Sequence, residues 1–128
     1  MATSSGSEKT LYARIDGHDT LAAIVDEFLQ TAAADPKMAR FANAMSLDSR
    51  RRNCQLTLDY LCAATGGPAF YLGKDMKNAH AGLSISSQEW RTSMEHVERA
   101  LKKFKVGAQE SMEFCSLIED LRDQIVER

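Results

Sequence analysis

The chain has 128 residues, 44% apolar and 27% charged, with a formal net charge of −2. That length fits one domain with a real core, and the composition excludes a disordered or fibrous chain. The slight acidic balance argues against a nucleic-acid partner, and no apolar run reaches the roughly 18–20 residues of a membrane span.

Residues 1–9 are small and polar, without the apolar stretch of a secretory signal, so they read as a disordered tail ahead of one domain at 10–128. Cys54, Cys62 and Cys115 are an odd number without Cys-x-x-Cys spacing, which suits reduced thiols in a cytoplasmic protein. Thr10 is a cap for a short helix, Leu11 to Ile15, stopped at Asp16-Gly17. Asp19 or Thr20 then opens a second helix, whose Leu21, Ile24, Val25, Phe28 and Leu29 form one apolar stripe. Asp35-Pro36 restarts the chain as cap and first helical residue of a short piece ending near Phe41. After a connection at 42–47, a long helix runs from about Asp48 to Ala64 and stops at Gly66-Gly67-Pro68.

From Ala69 to Ser86 the chain is irregular, with one or two helical turns around Met76–His80. Ser86 and Glu89 form a capping box, with Ile85 and Trp90 in the staple positions beside it. The helix that follows carries Trp90, Met94, Val97, Leu101 and Phe104 on one face, and Val106-Gly107 interrupts it. A last helix from about Gln109 to Val126 is expected to bury Phe114, Leu117, Ile118, Leu121 and Ile125. No segment alternates with period 2, so the fold class is all-α. Unequal helices without a heptad register suit crossed packing around a pocket.

His80 is the side chain most able to carry chemistry. Read as helix, the segment puts Met76 and Leu83 on its side, while Ala79, Ala81 and Gly82 leave room for a flat group. A haem iron needs one strong protein ligand of this kind, with the opposite face open. A lone histidine on an apolar face is more often a packed or surface residue, and on pattern alone both readings stand. No Ser–His–Asp set, phosphate loop or convincing carboxylate pair is present.

Gly66-Gly67-Pro68, the Tyr71-Leu72-Gly73-Lys74-Asp75-Met76 approach and His80-Ala81-Gly82-Leu83 together resemble the signature of the group I truncated haemoglobins. The likeness extends over nearly all of residues 10–126. It implies a truncated globin-like two-over-two helical sandwich around one haem b, with His80 as proximal iron ligand. By the same correspondence Phe28, Phe41, Met76, Ile85 and Val97 line the macrocycle, although each also reads as ordinary core. Lys74 and the run Arg50-Arg51-Arg52 are candidate partners for the haem propionates, with a solvated charge run as the plainer reading.

The distal side departs from the family. Where its members commonly place a Tyr after the Phe of the second helix, this chain has Leu29. The inward polar positions of the long helix correspond to Asn53 and Thr57, four apart and so on one face. Asn53 can donate an amide hydrogen, whereas Thr57 can equally satisfy its own helix. Leu56 stands where some relatives carry a second ligating histidine, so an open sixth coordination site is expected. A charge-assisted hydrogen bond to bound oxygen is worth roughly 1.5–3 kcal/mol, so a pocket without the Tyr should release oxygen faster.

The resemblance implies reversible binding of oxygen, nitric oxide and carbon monoxide. Alternatives are a nitric oxide dioxygenase served by a separate reductase and a haem-based gas or redox sensor. A haem-free helical interaction module is the plain competitor.

Overall fold

The structure is a computed structural model that describes residues 9–127. The expected tail at 1–9 therefore lies, apart from Lys9, outside the described residues, as does Arg128. Among the described residues there are eight helices and no strand: α1 (Leu11–Arg14), α2 (Gly17–Ala34), α3 (Ala39–Asn43), α4 (Leu47–Ala64), α5 (Met76–His80), α6 (Ser87–Lys103), α7 (Ala108–Glu119) and α8 (Arg122–Ile125). None is long and apolar enough to cross a membrane.

The long helices form two crossing pairs. α2 packs against both α4 and α6, and α6 packs against α7, which gives the two-over-two arrangement. The stripe on α2 explains its central place: Leu21, Ile24 and Val25 are almost fully buried, and they meet Val97, Ala100 and Leu101 of α6 and Phe114 of α7 in the main core. A second core joins Ile85, Trp90, Met94 and Ile125, with Phe41 and Met76 packed against it.

The caps behave as their residue types require. Thr10 accepts from Ala13 N, Ser46 accepts from Ser49 N ahead of α4, and both halves of the Ser86–Glu89 box are made. At the Gly-Gly-Pro stop, a side chain on Gly67 would lie 2.6 Å from both Cys62 Sγ and the Tyr12 ring, so only glycine lets the turn close there. The same corner is tied to α1 by Tyr12 N donating to Thr65 O. Arg14 then fastens α1 to α7 through a two-pronged pair with Glu113, at 2.7 and 2.6 Å, and a bond to Glu110.

Four expectations need correction. α2 begins at Gly17, because Asp16 and Gly17 both take left-handed conformations and reverse the chain at once. Asp19 lies inside the first turn, where a carboxylate suits the helix dipole. Pro36 opens no helix. Asp35 caps a turn, accepting from Lys37 N through its side chain and from Met38 N and Ala39 N through its carbonyl, and α3 starts only afterwards. The last helix breaks at Asp120-Leu121, which turns Leu121 and Ile125 toward the second core while Phe114 stays in the first. Leu117 is 36% exposed, outside both cores.

Candidate functional site

His80 is the last residue of α5, a five-residue helix entered from Asp75, whose carboxylate accepts from the Asn78 amide. Its Nδ1 lies 2.8 Å from the carbonyl oxygen of Met76, one turn back. A carbonyl only accepts, so Nδ1 carries the hydrogen and Nε2 keeps the lone pair. A bond of this kind fixes ring orientation and tautomer in metal-ligating histidines. Cys54 and Cys115 are poor rivals as ligands, because burial pushes both thiols above their usual range and disfavours the thiolate. Among the described residues no cluster of three or more His, Cys, Asp or Glu side chains exists that could hold a metal ion.

The apolar wall is built by continuing the core stripes outward. On α2, Leu21, Ile24 and Val25 are sealed, but the next residues on that stripe, Phe28 and Leu29, are only half-buried. Phe41, Leu56 and Met76 are half-buried as well, while Ile85 and Val97 are buried. The structure gathers Phe41, Met76 and Ile85 in the second core, and Phe28, Leu29 and Val97 in the main one. Leu56 belongs to neither cluster. Half-covered apolar faces of this kind, together with one oriented imidazole, fit a flat, apolar group with a single axial bond.

On α4, Asn53 meets Leu29 across a cavity of about 80 Å³ that Ala33, Ala42, Met45 and Arg50 complete. Thr57 points its hydroxyl back along its own helix and donates to the Asn53 carbonyl at 2.7 Å. Its proton is thus committed, whereas the side-chain amide of Asn53 makes no hydrogen bond among the described residues, so of these two Asn53 is the available donor.

Several features lay beyond sequence reasoning. Arg50, Arg51 and Arg52 are all exposed, as a solvated run would be, but Arg50 Nε also donates to Ala42 O, closing the step from α3 to α4 beside the cavity. Arg51 makes a long, exposed contact to Asp48 at 3.9 Å. Leu83 does not share a helical face with Met76 and His80, because α5 ends at His80 and the chain turns through a left-handed Gly82. Lys74 is exposed on the loop before α5, and its carbonyl accepts from the Tyr71 hydroxyl. Tyr71 also packs edge-on against Tyr60 of α4, with ring centroids 5.1 Å apart. Arg40 lies 4.1 Å over the Phe41 ring and forks onto Glu89, holding that carboxyl down at about 2. The other histidines serve elsewhere: His18 is exposed, and buried His96 bonds Asp35 at 2.8 Å.

Two crossed helix pairs, a short helix ending in one oriented imidazole and half-buried apolar side chains along α2 and α4 define a globin-like protein. Comparison with known proteins makes this specific. The chain belongs to the Bacterial-like globin family, whose model matches residues 10–127. It is 25% identical over 118 residues to a group 1 truncated hemoglobin from Tetrahymena pyriformis, covering 92% of this chain and 95% of that one. It is 28% identical over 116 residues to the group 1 truncated hemoglobin GlbN of Mycolicibacterium paratuberculosis, covering 91% and 83%. In structure it is similar to a mutant of the truncated hemoglobin from Tetrahymena pyriformis in its Fe(III) form, with a TM-score of 0.85, 25% identity and coverage of 94% of this chain and 100% of that one. The resemblance to group I truncated haemoglobins and the two-over-two fold expected from the sequence are both borne out.

Proposed function

We propose that this chain binds one haem b through His80 Nε2 and reversibly takes up oxygen, nitric oxide and carbon monoxide on the opposite face. Membership of a globin family supports a haem-dependent gas-binding role at the coarser level. The observation that carries the assignment to His80 is its Nδ1 bond to Met76 O, which leaves Nε2 free and the ring fixed. When bound, the haem would supply an iron centre able to hold a diatomic ligand.

The remaining work falls to side chains. Phe28, Phe41, Leu56, Met76, Ile85 and Val97 exclude water from a flat apolar ligand and hold it by dispersion and burial. Lys74, exposed at the entrance to α5, is the cation proposed for its carboxylate edge. Leu29 keeps the gas side apolar, and Asn53 supplies its polar contact. No imidazole stands at Leu56 to compete for the sixth position.

Absorption spectra of the ferric, ferrous and carbon-monoxide forms test the reading, beside the same set for His80→Ala. A strong Soret band that shifts with carbon monoxide and is lost in the variant supports it. A colourless wild type that fails to take up hemin, or a variant with an unaltered spectrum, overturns it.

A further inference from the structure

α5 has five residues, too few to hold a helix by its own hydrogen bonds, so the setting of His80 depends on how its two ends are fastened. The N-terminal end is fastened locally, by Asn78 to Asp75. The C-terminal end is fastened by the far end of the chain. Glu127 lays one carboxylate across two backbone amides, with Gly82 N donating to Oε2 at 3.2 Å and Ser84 N donating to Oε1 at 2.7 Å.

The loop is shaped for that carboxylate. Gly82 and Ser84 both adopt left-handed backbone conformations, at φ of 83° and 53°, and their amides donate to the two oxygens of that one carboxylate. Such a concavity of N–H groups attracts an anion, and the chain provides its own. Between them, Leu83 N donates back to the carbonyl of His80 at 3.2 Å, so the held loop is bonded to the histidine itself. Two further bonds keep the arrangement in register. Glu127 N donates to Ile85 O at 2.8 Å, and Arg40 Nη2 donates to Ser84 O at 3.2 Å from the other side. Water competes for an exposed carboxylate, but the backbone bond to Ile85 keeps Glu127 beside the loop.

We infer that Glu127 is a positioning residue for His80: its carboxylate, bridging the Gly82 and Ser84 amides, fixes the loop that ends α5 and so the angle and distance at which the imidazole is presented to haem. The inference rests on His80 being the axial ligand. A carboxylate that merely capped the loop would add stability without touching the ligand bond.

The test uses the haem-loaded full chain as wild type, Glu127→Ala, Glu127→Gln and His80→Ala. Three readouts are the iron–imidazole stretching band of the ferrous, ligand-free form, the rate of hemin transfer to excess apomyoglobin, and amide hydrogen exchange at Gly82 and Ser84 in the haem-free chain. Glu127→Ala is expected to shift or broaden the band, speed hemin loss on the order of 10-fold and speed exchange at both amides. Glu127→Gln, whose carbonyl oxygen replaces only one of two acceptors, should fall between. If both Glu127 variants keep the wild-type band and hemin-loss rate, even with a lower melting temperature, the positioning role is overturned and the His80 assignment stands. If His80→Ala keeps the wild-type band, the assignment fails and this inference fails with it.

Discussion

Nδ1 of His80 and the carbonyl oxygen of Met76 lie 2.8 Å apart, and that bond decides which ring nitrogen is left to act. The acceptor belongs to the backbone, so no side-chain substitution at position 76 removes it. Met76→Leu should therefore retain the Soret band and cost less than about 1.5 kcal/mol in urea unfolding, as volume-conserving apolar swaps do. His80→Gly should lose the band and regain it when free imidazole is added. A glycine variant that stays coloured without imidazole would place the ligand elsewhere.

Of the two polar α4 side chains proposed for the gas side, only Asn53 keeps its donor uncommitted among the described residues. The Thr57 hydroxyl is committed to Asn53 O at 2.7 Å, so Thr57→Val should leave the oxygen dissociation rate within about twofold. Asn53→Ala should raise that rate roughly 10-fold or more, the worth of one charge-assisted hydrogen bond to bound oxygen. Leu29→Tyr places a hydroxyl across the cavity from Asn53 and should slow release by roughly 10-fold or more. Stopped-flow dissociation from the oxygenated protein measures all three, and an unchanged rate in Asn53→Ala removes that residue from the site.

Two Arg–Glu pairs contribute to the acid limb of stability. Arg40 holds the Glu89 carboxyl down from its ordinary 4.5 to about 2, and Arg14 does the same to Glu113. Both groups bind their protons less readily folded than unfolded. Their contribution is therefore complete above about pH 4.5 and is lost as pH falls toward 2. Glu89 is the better shielded, with its side chain 15% exposed against 34% for Glu113, whose share salt should screen further. Urea midpoints should stay level from about pH 7 to pH 5 and then decline, and Glu89→Gln should start lower and decline less. A wild-type midpoint that holds level to about pH 2.5 would deny both pairs their role.

Much of this fold is legible because its signals are local. The Ser86–Glu89 box, the Thr10 cap, the Gly66-Gly67-Pro68 stop and the stripe from Leu21 to Leu29 each depend on residues within a turn or two of one another. The errors fall where distant packing decides. Asp120-Leu121 carries no breaker, and α7 ends there because Ile125 is drawn into a core with Ile85 and Trp90. As a candidate ligand, His80 is legible through its small neighbours and the family resemblance that Gly66-Gly67-Pro68 helps to carry. What fixes its ring and its loop, the Met76 carbonyl and the Glu127 carboxylate, is not. A backbone acceptor has no sequence signature, and a contact spanning 45 residues leaves no local pattern.

The capping box gives the remaining prediction, because its two members do unequal work. Ser86 Oγ accepts from Glu89 N at 3.1 Å, satisfying one of the otherwise unpaired amides at the start of α6. Ser86→Ala should cost about 1 kcal/mol, the usual value of an N-cap. Glu89 accepts in return from Ser86 N at 3.0 Å, but it also takes both prongs of Arg40 at 2.9 Å. Glu89→Ala should therefore destabilise more than Ser86→Ala. It also frees Arg40 from the position in which it reaches Ser84 O, so it should loosen the loop after His80. Urea unfolding of the two variants and amide exchange at Ser84 check the order. Equal destabilisation with unchanged exchange would reduce Glu89 to a helix cap alone.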